Sequence, residues 1–128
     1  MASREQVESK LATIKSCISR GSEHFTFLSH RPDNRQTLHD LGFMLRDVKQ
    51  IILGLDVTDY SEGPEPNESS NVPSAFMDSE MWMFGKEIEG RVTLEAYIKF
   101  SLIETAEGPV TCCVSFHQAK GKIVYPFK

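Results

Sequence analysis

Two neighbouring segments in the second half of the chain alternate apolar and polar residues with a period of two. Over residues 91–102 the even positions are apolar and the odd positions mostly polar, which is typical of a strand with one buried face. Residues 110–117 repeat the pattern, and we expect Val110, Cys112, Val114 and Phe116 to share one side. The residues between the two segments, 104–108, predict the loop of an antiparallel hairpin.

The polar faces of these two predicted strands bring three reactive side chains together. When the apolar faces are matched, Tyr97 lies opposite Ser115 or His117, or within a small register shift of them. Tyr97, Lys99 and His117 are then expected on one solvent-facing surface, with opposed side chains roughly 5 Å apart and diagonal ones about 7 to 8 Å. A phenol, an ammonium and an imidazole at this spacing suit a small anion, and phosphate is the natural candidate.

The first half of the chain shows helical periodicity instead. Residues 3–20 carry an apolar stripe at helical spacing and are followed by a glycine, which predicts an amphipathic helix. A short helix is expected from a cap at Asp33 or Asn34 through Leu41, and a second helix over residues 43–53. Both of these helices are also followed by a glycine.

The remaining segments connect or flank these elements. Residues 24–27 fit either a short strand or a connection. Residues 61–75 are rich in Glu, Pro, Asn, Ser and Gly, which predicts a long mobile loop near the polar surface. A buried strand is expected within residues 76–87, and the tail, residues 123–127, is able to reach a sheet edge.

Together these elements predict one α+β domain over residues 1–128, with N-terminal helices packed on a C-terminal antiparallel sheet. The helical part covers about residues 1–55, the mobile loop about 61–75 and the antiparallel sheet about 76–128. A chain of 128 residues is long enough to bury a core without disulfide bonds or a structural metal.

Composition and charge narrow the functional classes. Three cysteines, two of them adjacent, give neither a disulfide framework nor a metal-binding spacing, so we expect reduced thiols, no metal and no cofactor. The net charge of −4 excludes a general attraction to nucleic acid, so a phosphate-binding surface must be local. No apolar run approaches the roughly 20 residues that cross a membrane and no apolar signal segment is present, so a cytoplasmic protein is expected.

Five short segments form an ordered combination of motifs: Ile52-Leu53-Gly54-Leu55, Asp59-Tyr60, Trp82, Tyr97-Ile98-Lys99-Phe100 and Val114-Ser115-Phe116. In order and spacing they resemble the MqsR-type toxins of bacterial toxin-antitoxin systems, over roughly residues 40 to 120. The resemblance implies a RelE-like microbial ribonuclease fold. It also implies a metal-independent endoribonuclease that cuts messenger RNA, and an antitoxin encoded alongside.

The chain departs from this family at three of the four positions proposed as functional in it. The tyrosine that opens the long strand is kept as Tyr97. The two lysine positions of the family fall on Glu62 and His117, and its glutamine falls on Met83. These departures imply either a rebuilt site or a lost activity.

Metal-free RNA cleavage needs a base for the 2′-hydroxyl proton, an acid for the leaving oxygen and cations for the phosphoryl charge. His117 is the candidate base or acid, because histidine ordinarily titrates near neutral pH. Tyr97 is the candidate donor of a proton or hydrogen bond, and Lys99 is the candidate catalytic cation. The alternative for His117 is an ordinary surface residue at the end of a hairpin.

Five more residues are candidates for binding the substrate. Lys86 and Arg91 are further replacement cations, and Glu95 is placed to orient the imidazole. Tyr60 and Trp82 offer aromatic surfaces to RNA bases, although a packing role in the core is the alternative for both.

The sequence therefore predicts an endoribonuclease toxin that acts on single-stranded RNA, is restrained by a cognate antitoxin and has no membrane partner. The alternative is a non-catalytic interaction module on the same fold, favoured by the net negative charge, Glu62 and Met83. A basic surface around Lys86, Arg91, Lys99 and His117 favours the enzyme, whereas an acidic or apolar surface there favours the interaction module.

Overall fold

Three helices and a five-stranded sheet make up the described part of this computed structural model, residues 1–66, 76 and 79–128. The helices are α1 (Arg4–Ser19), α2 (Pro32–Leu41) and α3 (Leu45–Leu53), with a 3-10 turn at Val57–Asp59. The strands are β1 (Phe25–Phe27), β2 (Tyr60–Pro66), β3 (Glu80–Glu89), β4 (Thr93–Thr105) and β5 (Gly108–Gln118). No helix among the described residues is long and apolar enough to cross a membrane.

The sheet has the order β1-β5-β4-β3-β2, and it is mixed rather than antiparallel throughout. Strands β3 to β5 pair antiparallel, as predicted, and β2 adds an antiparallel edge strand that was not predicted, whereas β1 pairs parallel with β5. The α+β class is confirmed, and the expectation of a purely antiparallel sheet was wrong. Residues 24–27, which fitted a strand or a connection, supply this parallel edge strand.

Helix α1 begins and packs as its sequence predicts. Ser3 accepts a hydrogen bond from the Gln6 amide, and the Gln6 side chain accepts one from the Ser3 amide, so the first turn is capped reciprocally. Its buried residues recur every three or four positions and are Val7, Leu11, Ile14 and Cys17. This stripe lies against the sheet and closes one side of the core.

Helices α2 and α3 differ from their predicted starts. Neither Asp33 nor Asn34 caps α2; the helix begins at Pro32, whose fixed backbone angle suits a first helical position. Helix α3 begins at Leu45 rather than residue 43, with the Met44 amide donating to the Asp47 carboxylate at 2.8 Å. Both ends were predicted correctly.

Helix α2 takes the place of a neighbouring strand along the outer edge of β5. Strand β1 covers this edge only at Thr111–Cys113. Beyond it, the Asn34 amide donates to Val114 O at 3.0 Å and its oxygen accepts from Phe116 N at 2.9 Å, while Thr37 Oγ1 accepts from Gln118 N at 2.9 Å. Buried backbone groups need such partners, which explains why two polar side chains of α2 are buried.

A β-bulge at Val114 sets the register of the β4–β5 hairpin. Pairing runs unbroken from Thr105↔Gly108 at the turn to Phe100↔Cys113, and resumes at Lys99↔Ser115, so Val114 has no partner on β4. The predicted five-residue loop is therefore a two-residue turn. The expectation that Val110, Cys112, Val114 and Phe116 share one side was wrong, because the extra residue reverses the alternation.

Each face of the sheet buries its own apolar cluster. The helical face, which α1 and α3 cover, holds Trp82, Phe84, Ile98, Phe100 and Phe116 with the helix stripes. The second face holds a smaller cluster of Leu28, Phe76, Met81, Met83, Cys112 and Val114, with Tyr97 packed against it. The surface that carries Tyr97 was expected to face solvent, but it is half-buried.

The predicted mobile loop over residues 61–75 begins as a strand. Ser61–Pro66 continue β2 and pair with β3, with register shifts on either side of Glu62. Gly63 permits one of these shifts, since its φ of 125° lies in the region that favours glycine. The part of the prediction that concerns residues 67–75 lies outside the described residues.

Asn34→Ala should destabilise the protein by about 2 to 4 kcal/mol, because it leaves the buried Phe116 amide without a partner and removes one of the two donors from both Leu28 O and Val114 O. Urea denaturation measures this difference. Arg35→Ala, at the next and exposed position of α2, is the matched control and should stay within about 0.5 kcal/mol of the wild type. Equal losses for the two variants would contradict the role given to Asn34.

Candidate functional site

Tyr97 and His117 form a directly opposed pair across β4 and β5 on the second face. Their ring centroids lie 5.5 Å apart with the rings tilted by 33°. The residues next to them, Ile98 and Phe116, are paired with each other and are fully buried on the helical face. This arrangement confirms the prediction that the phenol and the imidazole share one surface with an apolar layer behind them.

Lys99 follows on the same side of β4, opposite Ser115. Burial is the main cause that lowers the pKa of the Lys99 ammonium, and the nearby Arg31 guanidinium lowers it further. Glu65 acts in the opposite direction. Tyr97, Lys99 and His117, here called the polar cluster, are thus brought together as predicted.

The pKa of the Tyr97 phenol is raised, first by burial and then by the negative charges of Glu62 and Glu65 on β2. The phenol therefore keeps its proton and is able to donate a hydrogen bond. His117 Nδ1 lies 3.0 Å from the Gln118 carbonyl oxygen. Because a carbonyl only accepts, Nδ1 carries the proton in this contact, and Nε2 of the neutral ring is left as an acceptor.

A groove of about 340 Å³ opens beside the Tyr97–His117 pair. Ser61 and Glu62 of β2 form one wall, and residues 119–124 form the other. Its charged side chains have both signs, because Glu62 faces the groove together with Lys120 and Lys122. The cavity is large enough for a nucleotide-sized group.

The C-terminal tail is held against the sheet by its aromatic side chains. Tyr125 Oη donates to Glu95 Oε2 at 2.6 Å, and the Phe127 ring stacks on Tyr60 with centroids 5.5 Å apart. Gly85 of β3 makes room for this crossing, because a Cβ there would lie 2.9 Å from Ile123 Cδ1. The tail reaches the edge of β3 by side-chain contacts and forms no strand.

Glu95 does not orient His117 as the sequence predicted. Its carboxylate accepts the Tyr125 hydroxyl, and the contact that orients the imidazole comes from the Gln118 carbonyl. The same bond raises the pKa of Tyr125, after burial, which is the larger cause. Glu95 is therefore an anchor for the tail.

Tyr60 and Trp82 are buried on the helical face and present no surface to RNA bases. Tyr60 is fully buried, and its hydroxyl donates to Gly63 O at 2.5 Å. Trp82 is 2% exposed, and its indole N–H donates to Glu80 at 3.1 Å. Their predicted substrate-binding roles are wrong, because the helices cover the face of the sheet on which both rings lie.

Lys86 and Arg91 also lie away from the polar cluster. Lys86 is paired with Ala96, so its side chain leaves from the helical face, where it forms an ion pair with Asp59 at 3.4 Å. Arg91 is exposed in the turn between β3 and β4, about 20 Å along the strand from Tyr97. The cations beside the cluster are instead Lys120 and Lys122, which line the groove with Tyr97 and His117, and Arg31, which acts on Lys99.

Sequence reasoning missed these three cations for different reasons. Lys120 and Lys122 follow β5 directly, so the sequence alone could have predicted that they lie near His117. Arg31 is far away in sequence and carries no local signal. Among the described residues, no group of three or more His, Cys, Asp or Glu side chains is placed to hold a metal ion.

Gly85→Ala should release the tail, because the added methyl group would clash with Ile123 and Tyr125. A local cost of about 1 to 2 kcal/mol raises the open population roughly 5- to 30-fold. Limited trypsin digestion after Lys122 measures that population. Gly54→Ala, whose Cβ would meet only ordinary contacts from 3.5 Å outward, is the control. An unchanged cleavage rate in Gly85→Ala would contradict the packing of the tail on β3.

Comparison with models of known protein families, with curated proteins and with solved structures gives no match to this chain. The function is therefore inferred from the chemistry of the polar cluster and its groove, together with the motifs along the chain.

Proposed function

We propose that this chain is a metal-independent endoribonuclease of the MqsR type, with a RelE-like fold, that cleaves single-stranded messenger RNA and is restrained by a cognate antitoxin. The observation that carries the proposal is the directly opposed Tyr97–His117 pair, which borders a groove and has Lys99 on the same face. A donor, an acceptor and a cation within reach of one phosphate are the groups that such cleavage needs.

His117 is the general base in this mechanism. Its Nε2 is the free acceptor, because Nδ1 donates to the Gln118 carbonyl. It takes the proton from the ribose 2′-hydroxyl, whose oxygen attacks the adjacent phosphorus and displaces the 5′-oxygen of the next nucleotide. The departing 5′-oxygen takes up one proton, from the Tyr97 phenol or from the imidazolium that His117 has become, and any proton lost by Tyr97 is replaced from that imidazolium. The products are a 2′,3′-cyclic phosphate and a free 5′-hydroxyl, and the enzyme returns to its starting protonation without metal.

Tyr97 and Lys99 stabilise the negative charge that develops on the phosphate oxygens. The phenol keeps its proton because burial and two carboxylates raise its pKa, so it donates to a phosphoryl oxygen or to the leaving oxygen. The Lys99 ammonium, one strand repeat further along β4, offsets the charge that grows on the phosphoryl oxygens. Half-burial strengthens both contacts, since water screens them less.

A second candidate function is supported by the acidic wall of the groove. Glu62 faces the groove beside Tyr97, and Glu65 lies near enough to act on both Tyr97 and Lys99. These carboxylates repel an RNA backbone, and they favour a non-catalytic module that binds a protein partner at this surface. The two functions differ in whether the folded chain cuts RNA.

His117→Ala and Tyr97→Phe should each lower the cleavage rate by about 10²- to 10⁴-fold, because each removes a proton-transfer or hydrogen-bonding group. Cleavage of a fluorescent single-stranded RNA in the presence of EDTA measures the rate. His39→Ala, an exposed histidine in the last turn of α2, is the control and should keep full activity.

Two further measurements distinguish the loss of a catalytic group from the loss of folded protein in these variants. Tyr97→Phe keeps the ring that packs against His117, so its unfolding free energy should stay within about 1 kcal/mol of the wild type. Lys99→Arg should retain part of the activity, because it keeps the charge and changes its geometry. Full activity in both His117→Ala and Tyr97→Phe would remove the proposed site.

Expression of the wild-type chain alone should arrest bacterial growth and fragment messenger RNA, and co-expression of its antitoxin, sought in the adjacent reading frame, should restore growth. His117→Ala should be tolerated at the same expression level. RNA left intact by a folded wild-type chain would reject the ribonuclease and leave the interaction module.

A further inference from the structure

Arg31 lies over the second face at the β-bulge, close to the polar cluster. It immediately precedes α2, and its Nη1 donates to Val114 O at 2.9 Å. Val114 is the bulged residue, and the next residue, Ser115, is paired directly with Lys99. The guanidinium is therefore held beside the strand position that faces Lys99.

The Arg31 charge acts on two groups of the second face. The guanidinium lowers the pKa of the Lys99 ammonium and opposes the burial that raises the pKa of the Cys112 thiol to about 12. Lys99 and Cys112 lie on neighbouring strands of the second face.

Arg31 and Lys99 are two neighbouring cations at the second face. Neither of them makes an ion pair with another described residue. Among the described residues, Glu65 acts on Lys99 without forming an ion pair, and Asp33 acts on Arg31 but is itself paired with Lys120 at 2.6 Å. Two half-buried like charges destabilise the free protein, and a bound anion removes that cost.

A purely structural role leaves most of the Arg31 side chain unexplained. The Val114 carbonyl already accepts a hydrogen bond from Asn34, so it does not need the guanidinium. Arginine has five N–H donors, and among the described residues its side chain makes one hydrogen bond. Its planar fork suits the oxygens of a phosphate better than an ammonium does.

We propose that Arg31 and Lys99 together form a phosphodiester subsite, which holds a backbone phosphate of single-stranded RNA next to the Tyr97–His117 pair. The identification of the ligand as RNA rests on the proposed ribonuclease function. The placement of the two cations is a structural observation and does not depend on that function. Arg31 is a binding residue in this subsite and takes no part in proton transfer.

The test uses a 2′-O-methyl oligonucleotide, which lacks the attacking hydroxyl and is not cleaved. Fluorescence anisotropy gives its Kd with the full chain at several salt concentrations. Arg31→Gln should weaken binding by about tenfold for every sequence tried, and it should reduce the slope of log K against log salt by about 0.7. Arg31→Lys should lie between Arg31→Gln and the wild type.

Arg35→Gln is the matched control, because it removes the same charge from an exposed position on α2. It should leave both Kd and the salt slope unchanged. Combining Lys99→Gln with Arg31→Gln should weaken binding by less than the product of the two single effects, since both residues hold one phosphate. Thermal unfolding identifies any variant that fails to fold, in which case Arg31→Lys and Lys99→Gln decide the outcome.

The outcomes separate this subsite from the proposed activity. Equal Kd values for Arg31→Gln and Arg35→Gln would overturn the subsite even if the wild type cleaves RNA. Arg31-dependent binding by a wild type that leaves RNA intact would support the subsite and reject the ribonuclease. A wild type that binds no oligonucleotide would overturn both.

Discussion

The polar cluster depends on one extra residue in β5. If pairing ran unbroken from the hairpin turn, Phe116 would lie opposite Tyr97 and His117 opposite Ala96, so the phenylalanine would leave the core and the imidazole would enter it. The bulge at Val114 reverses the sides beyond it, and the Asn34 side chain stabilises the bulge with hydrogen bonds to the backbone on both sides of Ser115. A buried amide on a helix thus helps to place the His117 side chain on the side of the sheet where the groove lies.

The same bulge links the electrostatics of the site to its packing. Its carbonyl accepts from Arg31 as well as from Asn34, which brings a second cation towards Lys99. Because the second face also buries an apolar cluster, water is partly excluded, and burial becomes the largest cause of the pKa shifts of Tyr97 and Lys99. Both shifts favour the neutral forms, so the phenol remains a donor, while the ammonium gains most from an anion bound beside it.

The segments around the polar cluster lie where two edge strands, β1 and β2, stop short of the full length of their neighbours. Where β1 ends, α2 covers the outer edge of β5, and it brings Asp33 near His117 and Arg31 to the bulge. Strand β2 pairs with β3 only as far as Phe84, and beyond that point the tail crosses at Gly85 and anchors on Glu95. The groove lies between these supports, so its walls come from segments that are distant in sequence.

The sequence by itself determined the elements whose causes are local. Side-chain direction in an unbroken strand follows position alone, so the alternation over residues 91–102 correctly placed Tyr97 and Lys99 on one face of β4, and the glycines correctly ended the helices. Tertiary structure decided what distant partners control. Asn34 fixes the bulge from 80 residues away, the packed helices bury Tyr60 and Trp82, and the docking of α2 brings Arg31 to Lys99. The periodicity of the sequence carries no information on these long-range hydrogen bonds and packing contacts. They determine the face of the sheet on which each functional side chain lies.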